Sequence, residues 1–93
     1  MNPFHYENSR LYAENVAVED IAAKVGTPFY LYSQQGIVNH FKAFDDAARK
    51  HLPRHLTCFA VKSNANPAIL KLLARMGAGA DIVSGGELLL ALS

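Results

Sequence analysis

Ninety-three residues can form one small domain but fall far short of the ~250 residues usual for a complete barrel enzyme. Hydrophobic residues make up 51% of the chain, which predicts a packed core and excludes a disordered tail. A formal net charge of +1, with no basic run and no basic amphipathic helix, excludes nucleic acid and a membrane surface as expected partners.

The first residues, Met1-Asn2-Pro3-Phe4-His5-Tyr6, lack a charged stretch followed by an apolar one, so they do not read as a secretory signal. No apolar run is long enough to span a bilayer. Residues 1–18 are mixed, with a short strand indicated around Leu11-Tyr12-Ala13 and a turn at Glu14-Asn15. A short helix is predicted from Glu19 to Val25, stopped by Gly26. After Gly26-Thr27-Pro28, the run Phe29-Tyr30-Leu31-Tyr32 predicts a strand. Ser33 suits an N-cap for a helix from Gln34 to Leu52, ended by Pro53, whose apolar face is Ile37, Phe41, Phe44 and Ala48.

Leu56 to Val61 predicts a second strand. Asn66 caps the next helix with Pro67 in its first position, where the missing N–H costs nothing. Ile69, Leu72, Leu73 and Met76 form its core stripe, and Gly77 or Gly79 ends it. Ala80-Asp81-Ile82-Val83 predicts a third strand, followed by Ser84-Gly85-Gly86 and a final helix with no C-terminal signal. The chain thus reads as stopping inside an element, as the front portion of a larger protein would. Strand and helix alternating three times with short connections predicts parallel βα units.

Lys62 carries the chemistry. It closes the apolar run Cys58-Phe59-Ala60-Val61, and an ammonium at a buried strand end is costly unless something there uses it. Desolvated lysines serve as bases or Schiff-base nucleophiles, although a solvated terminal charge is the plainer alternative. Strand alternation puts Cys58, Ala60 and Lys62 on one face, and barrel enzymes do their chemistry at the C-terminal ends of strands. Asp81 lies on the third strand. Glu87, in the first turn of the last helix, reads first as a stabilising end charge. Gly85-Gly86 could offer backbone N–H groups to an anion or simply make a tight turn. Asn64 reads as a turn residue. His5, His40, His51 and His55 show no metal spacing, and His40 and His51 read as surface residues of the long helix. Cys58, the sole cysteine, excludes an internal disulfide and reads as a small buried hydrophobe; a reducing, cytoplasmic setting fits.

Three segments carry a resemblance. Phe59-Ala60-Val61-Lys62-Ser63-Asn64 resembles the cofactor-lysine motif of barrel-type pyridoxal-phosphate decarboxylases, usually Tyr-Ala-Val-Lys-Ala-Asn. Gly79-Ala80-Asp81-Ile82-Val83-Ser84-Gly85-Gly86-Glu87-Leu88 is similar to the next motif of the diaminopimelate decarboxylase branch, and Gly26-Thr27-Pro28-Phe29-Tyr30-Leu31-Tyr32 to its opening strand. Phe59 and Ser63 depart from the usual Tyr and Ala on the face opposite Lys62, where they alter packing rather than chemistry.

The resemblance implies the N-terminal part of an α/β (β/α)8 barrel. Residues 1–25 form a segment contributing a strand to the family's β-rich second domain, and residues 26–93 form the first three βα units. It implies pyridoxal 5'-phosphate held by Lys62, with Ala60 beneath the cofactor, Asp81 as the acid near it and Glu87 as an acid one layer further out. The implied reaction is decarboxylation of meso-diaminopimelate to L-lysine by a homodimer. Ornithine- or arginine-type decarboxylases carry a similar lysine motif, and a non-catalytic truncated product is the alternative of another class. The family's remaining cofactor and substrate residues would lie beyond Ser93, which implies that this chain alone is inactive.

Overall fold

The computed structural model describes residues 2–93 and divides the chain into two compact units, Met1–Lys42 and Ala43–Ser93. In the first unit, β1 (Phe4–Glu7), β2 (Arg10–Ala13) and β3 (Val16–Ala17) form an antiparallel meander. The β1–β2 connection is the two-residue loop Asn8-Ser9, with φ of 51° and 65°. Positive φ at both positions gives the loop the twist that matches its flanking strands. The indicated strand at Leu11–Ala13 and the turn at Glu14-Asn15 are both present, and β1 and β3 join them.

His5 stacks on Tyr12 across β1 and β2, and the Arg10 guanidinium lies over the Tyr12 ring, 5.9 Å from its centre. Arg10 also bonds Glu19 of α1 (Val18–Val25), which starts one residue earlier than the sequence predicts. That pairing raises the Arg10 pKa, through the Glu19 hydrogen bond first. Gly26 ends α1 at φ 78°.

Phe29–Tyr32 is not a strand. Among the described residues no segment pairs with them in a hydrogen-bonded ladder, and Tyr30 is 90% exposed. An apolar run carries strand propensity, but a strand exists only where a neighbour pairs with it. α2 (Gln34–His51) begins at the expected cap: Ser33 Oγ accepts from Gly36 N at 3.0 Å. Ser33 Oγ also donates to Glu14 Oε2 at 2.8 Å, and Gln35 N donates to the same oxygen at 3.2 Å. The carboxylate thereby meets the positive end of the helix from outside it.

In the second unit, β4 (Cys58–Ala60) pairs in parallel with β5 (Gly79–Asp81), in the register Cys58 with Gly79, Phe59 with Ala80 and Ala60 with Asp81. Two parallel βα units stand here, each strand shorter than expected. α3 (Pro67–Arg75) lies between them in the chain, and α4 (Gly85–Leu92) follows β5. Asn66 caps α3 through Oδ1, which accepts from Ala68 N at 2.9 Å. Gly77, not Gly79, ends it: at φ 91° its N–H donates to Ala74 O, and Ala78 N donates to Leu73 O. That bond pair is the Schellman closure.

Leu73 is 5% exposed and Ile69, Leu72 and Met76 are half-buried, as the stripe predicts. On α2 the expected face holds at Ile37, Phe41 and Ala48, which are half-buried, and fails at one position. Phe44 is 66% exposed, and its neighbour Asp45 takes the inner position because three polar partners wait for it there.

Candidate active site

β4 ends at Ala60, and Val61–Ser63 make one 3-10 turn, with Asn64 N donating to Val61 O at 3.1 Å. Strand alternation therefore stops one residue short of where the sequence places it. Each residue in a 3-10 turn rotates its side chain by roughly 120°. Lys62 does not simply continue the Cys58–Ala60 face. Val61 is 0% exposed and pins the turn, whereas Lys62 is exposed, and α4 packs against this turn. Among the described residues the Lys62 ammonium forms no ion pair.

Residues opposite one another in a ladder project to the same side of the sheet. Ala60 and Asp81 are such a pair, so the ladder brings the expected cofactor-side alanine next to the expected acid. Lys62 stands two residues beyond Ala60. Cys58 and Gly79 are the other pair on this side, and Cys58 is exposed rather than buried. A two-stranded ladder faced with glycine and alanine has no bulky side chain to cover the thiol.

The opposite side of the sheet is apolar. Phe59 and Ala80, the middle pair, line a cleft of about 310 Å³ with Leu70, Leu73, Ile82 and Leu88. This fits Phe59 as a packing residue turned toward the helices.

The β5–α4 connection is a reciprocal cap. Ser84 Oγ accepts from Glu87 N at 3.1 Å, and Glu87 Oε1 accepts from Val83 N at 3.0 Å. The Gly85-Gly86 pair thus forms the first helical residues behind a serine cap. Glu87 acts here as the capping-box acid, accepting from the N–H one residue before the cap's own, which is the usual donor. On the other side of Lys62, Asn64 Oδ1 accepts from Asn66 N at 3.0 Å, the turn role expected of it.

Sequence reasoning missed a second polar cluster. Thr57 Oγ1 donates to Asp45 Oδ1 at 2.7 Å, His55 Nε2 lies 3.0 Å from the same oxygen, and Arg49 Nη2 donates to Asp45 Oδ2 at 3.0 Å. A carboxylate only accepts, so His55 carries a proton on Nε2. The Thr57 hydrogen bond, then the His55 one, hold the Asp45 carboxyl below its ordinary pKa. Only the Asp45–Arg49 pair sits at helical spacing; His55 and Thr57 lie ten and twelve residues from Asp45, where nothing in the local sequence signals them. His40 and His51 are exposed, as expected. Among the described residues no three His, Cys, Asp or Glu side chains converge as a metal site, and no helix is long and apolar enough to cross a membrane.

Residues 34–93 match the family described as "Pyridoxal-dependent decarboxylase, pyridoxal binding domain". The chain belongs to this family. It is 51% identical to a diaminopimelate decarboxylase of Pseudomonas fluorescens, over 95% of this chain and 21% of that protein. With a diaminopimelate decarboxylase of Aquifex aeolicus it shares 48% identity, over 97% of this chain and 21% of that one. The fold superposes on a solved diaminopimelate decarboxylase of M. jannaschii, a co-complex with L-lysine, with a TM-score of 0.92 at 33% identity. That match covers 98% of this chain and 22% of the other. The chain spans about a fifth of the length of these decarboxylases, and the fold is the expected N-terminal part of the family's barrel.

Proposed function

We propose that the chain is the N-terminal part of a pyridoxal-phosphate-dependent carboxy-lyase that converts meso-diaminopimelate to L-lysine, with Lys62 as the covalent attachment point. One observation carries this reading: an exposed, unpaired lysine amine on a turn pinned by buried Val61, beside the Ala60–Asp81 pair. The donor set fits the cofactor. An amine free of ion pairs can condense with an aldehyde, and small Ala60 leaves room on its side of the ladder.

When bound, the cofactor supplies an electron sink for the carbanion left by loss of CO2. Lys62 Nζ would hold the cofactor by condensing with its aldehyde, and the same amine, when free, would carry a proton to the substrate carbon. Asp81 supplies negative charge beside the cofactor. Glu87 holds the β5–α4 turn through the Val83 N–H and so acts from one layer further out.

The similarity to diaminopimelate decarboxylases favours this substrate over ornithine or arginine. We further assign residues 1–25 to a segment that contributes to a second, β-rich domain, and residues 26–93 to the opening βα units of the barrel. The working enzyme is a cytoplasmic homodimer, and the 93 residues by themselves are inactive.

The test is reduction of the whole protein with borohydride in the presence of pyridoxal phosphate, followed by peptide mapping. Label on the peptide containing Lys62, and its loss in Lys62→Ala, is the expected result. Label on another lysine, or none, overturns the assignment. Release of CO2 from diaminopimelate but not from ornithine or arginine is the expected substrate result.

A further inference from the structure

We propose that Asp45 is a positioning residue for Lys62, acting through Thr57; this rests on the role of Lys62 given above. Asp45 is a carboxylate on the inner side of α2 with a side chain only 13% exposed. Three donors converge on it, and one of them, Thr57, immediately precedes β4. The backbone of Thr57 is engaged as well: its carbonyl accepts from Gly79 N at 2.9 Å, the contact that opens the β4–β5 register. Thr57 is therefore tied to α2 by its hydroxyl and to β5 by its carbonyl. From that double anchor the chain runs along β4 to the turn that holds Lys62.

A short strand transmits its register rigidly, because each ladder bond fixes the next residue along. β4 has only three residues, so a slip at its start reaches Lys62 without being absorbed on the way. Released from Asp45, Thr57 would still keep its bond to Gly79 but lose the reference that fixes how far β4 extends. His55 and Arg49 complete the carboxylate. With Thr57 and His55 on Oδ1 and Arg49 on Oδ2, both carboxylate oxygens are engaged and the cluster holds one arrangement.

The experiment uses the whole protein with Asp45→Ala, Thr57→Val and Thr57→Ser. Two readouts are taken: affinity for pyridoxal phosphate by absorbance titration, and amide hydrogen exchange in peptides covering 56–63 and 67–75. Asp45→Ala and Thr57→Val are expected to weaken cofactor affinity about tenfold and to speed exchange in 56–63 but not in 67–75. Thr57→Ser, which keeps the hydroxyl, stays within about twofold of the parent. Unchanged affinity in Asp45→Ala and Thr57→Val overturns the proposal, as does equal acceleration in both peptides, which marks general destabilisation. Borohydride labelling of the parent protein at Lys62 separates these outcomes from a failure of the functional reading itself.

Discussion

The Sγ of Cys58 lies 2.8 Å from where a β-carbon on Gly79 would stand. Parallel pairing puts the two residues opposite one another, and the thiol fills the space that a second side chain would need. Gly79 is thus required for close approach, while the helix-ending role belongs to Gly77.

Gly79→Ala is therefore expected to destabilise the whole protein by about 1–3 kcal/mol, the range for forcing a methyl into a filled site. Urea denaturation measures it. In a Cys58→Ala background the cost should be smaller, since the nearest obstructing atom is gone; an equal cost in both backgrounds would falsify the contact.

Val61→Ala removes two methyl groups from the most deeply buried side chain and opens a cavity under the Lys62 turn. A loss of about 2 kcal/mol in thermal or chemical unfolding is expected. A loss below ~0.5 kcal/mol would place Val61 outside the core.

The cap at α4 separates two readings of Glu87. Ser84→Ala should cost about 1 kcal/mol, as loss of an N-cap does. Glu87→Gln keeps an oxygen for the Val83 N–H, so it should leave stability nearly unchanged, whereas Glu87→Ala should not. If Glu87→Gln instead weakens cofactor binding at constant stability, its negative charge matters beyond the turn.

Acid sensitivity follows from Asp45. Its carboxyl holds a proton less tightly in the folded protein than in the unfolded chain, because Thr57 and His55 donate to the charged form. In the window between the two pKa values the unfolded state binds more protons, so stability there rises with pH. The contribution is full above about pH 4 and is lost as pH falls through the lower folded value. The stability gap between parent and Asp45→Asn, measured by urea unfolding, should shrink from about pH 5 to about pH 3. A gap that stays constant over that range would rule out the hydrogen-bonded carboxylate as its source.

What the sequence allowed one to read was chiefly local. Ser33, Asn66 with Pro67, and Gly77 announce helix ends because each bonds or bends within a few residues of itself. The stripe on α3 is readable for the same reason. Phe44 and Phe29–Tyr32 misled for one shared cause: apolar side chains reveal a preference for burial, and partners elsewhere in the chain decide whether it is met. The Asn8-Ser9 hairpin escaped notice because serine seldom takes positive φ and Asn-Gly is the usual signal. At the candidate site, Lys62, Ala60 and Asp81 were readable from motifs, while the register joining Ala60 to Asp81 and the Asp45 cluster needed three dimensions.

The 3-10 turn that carries Lys62 lies outside the ladder: β4 hands over to it after Ala60. The sheet thus sets where the turn begins, and the turn sets the direction in which the Lys62 side chain leaves it. The register pairs Cys58, Phe59 and Ala60 with their partners and leaves Lys62 outside it, so exchanging that side chain is expected to leave every β4–β5 pair in place.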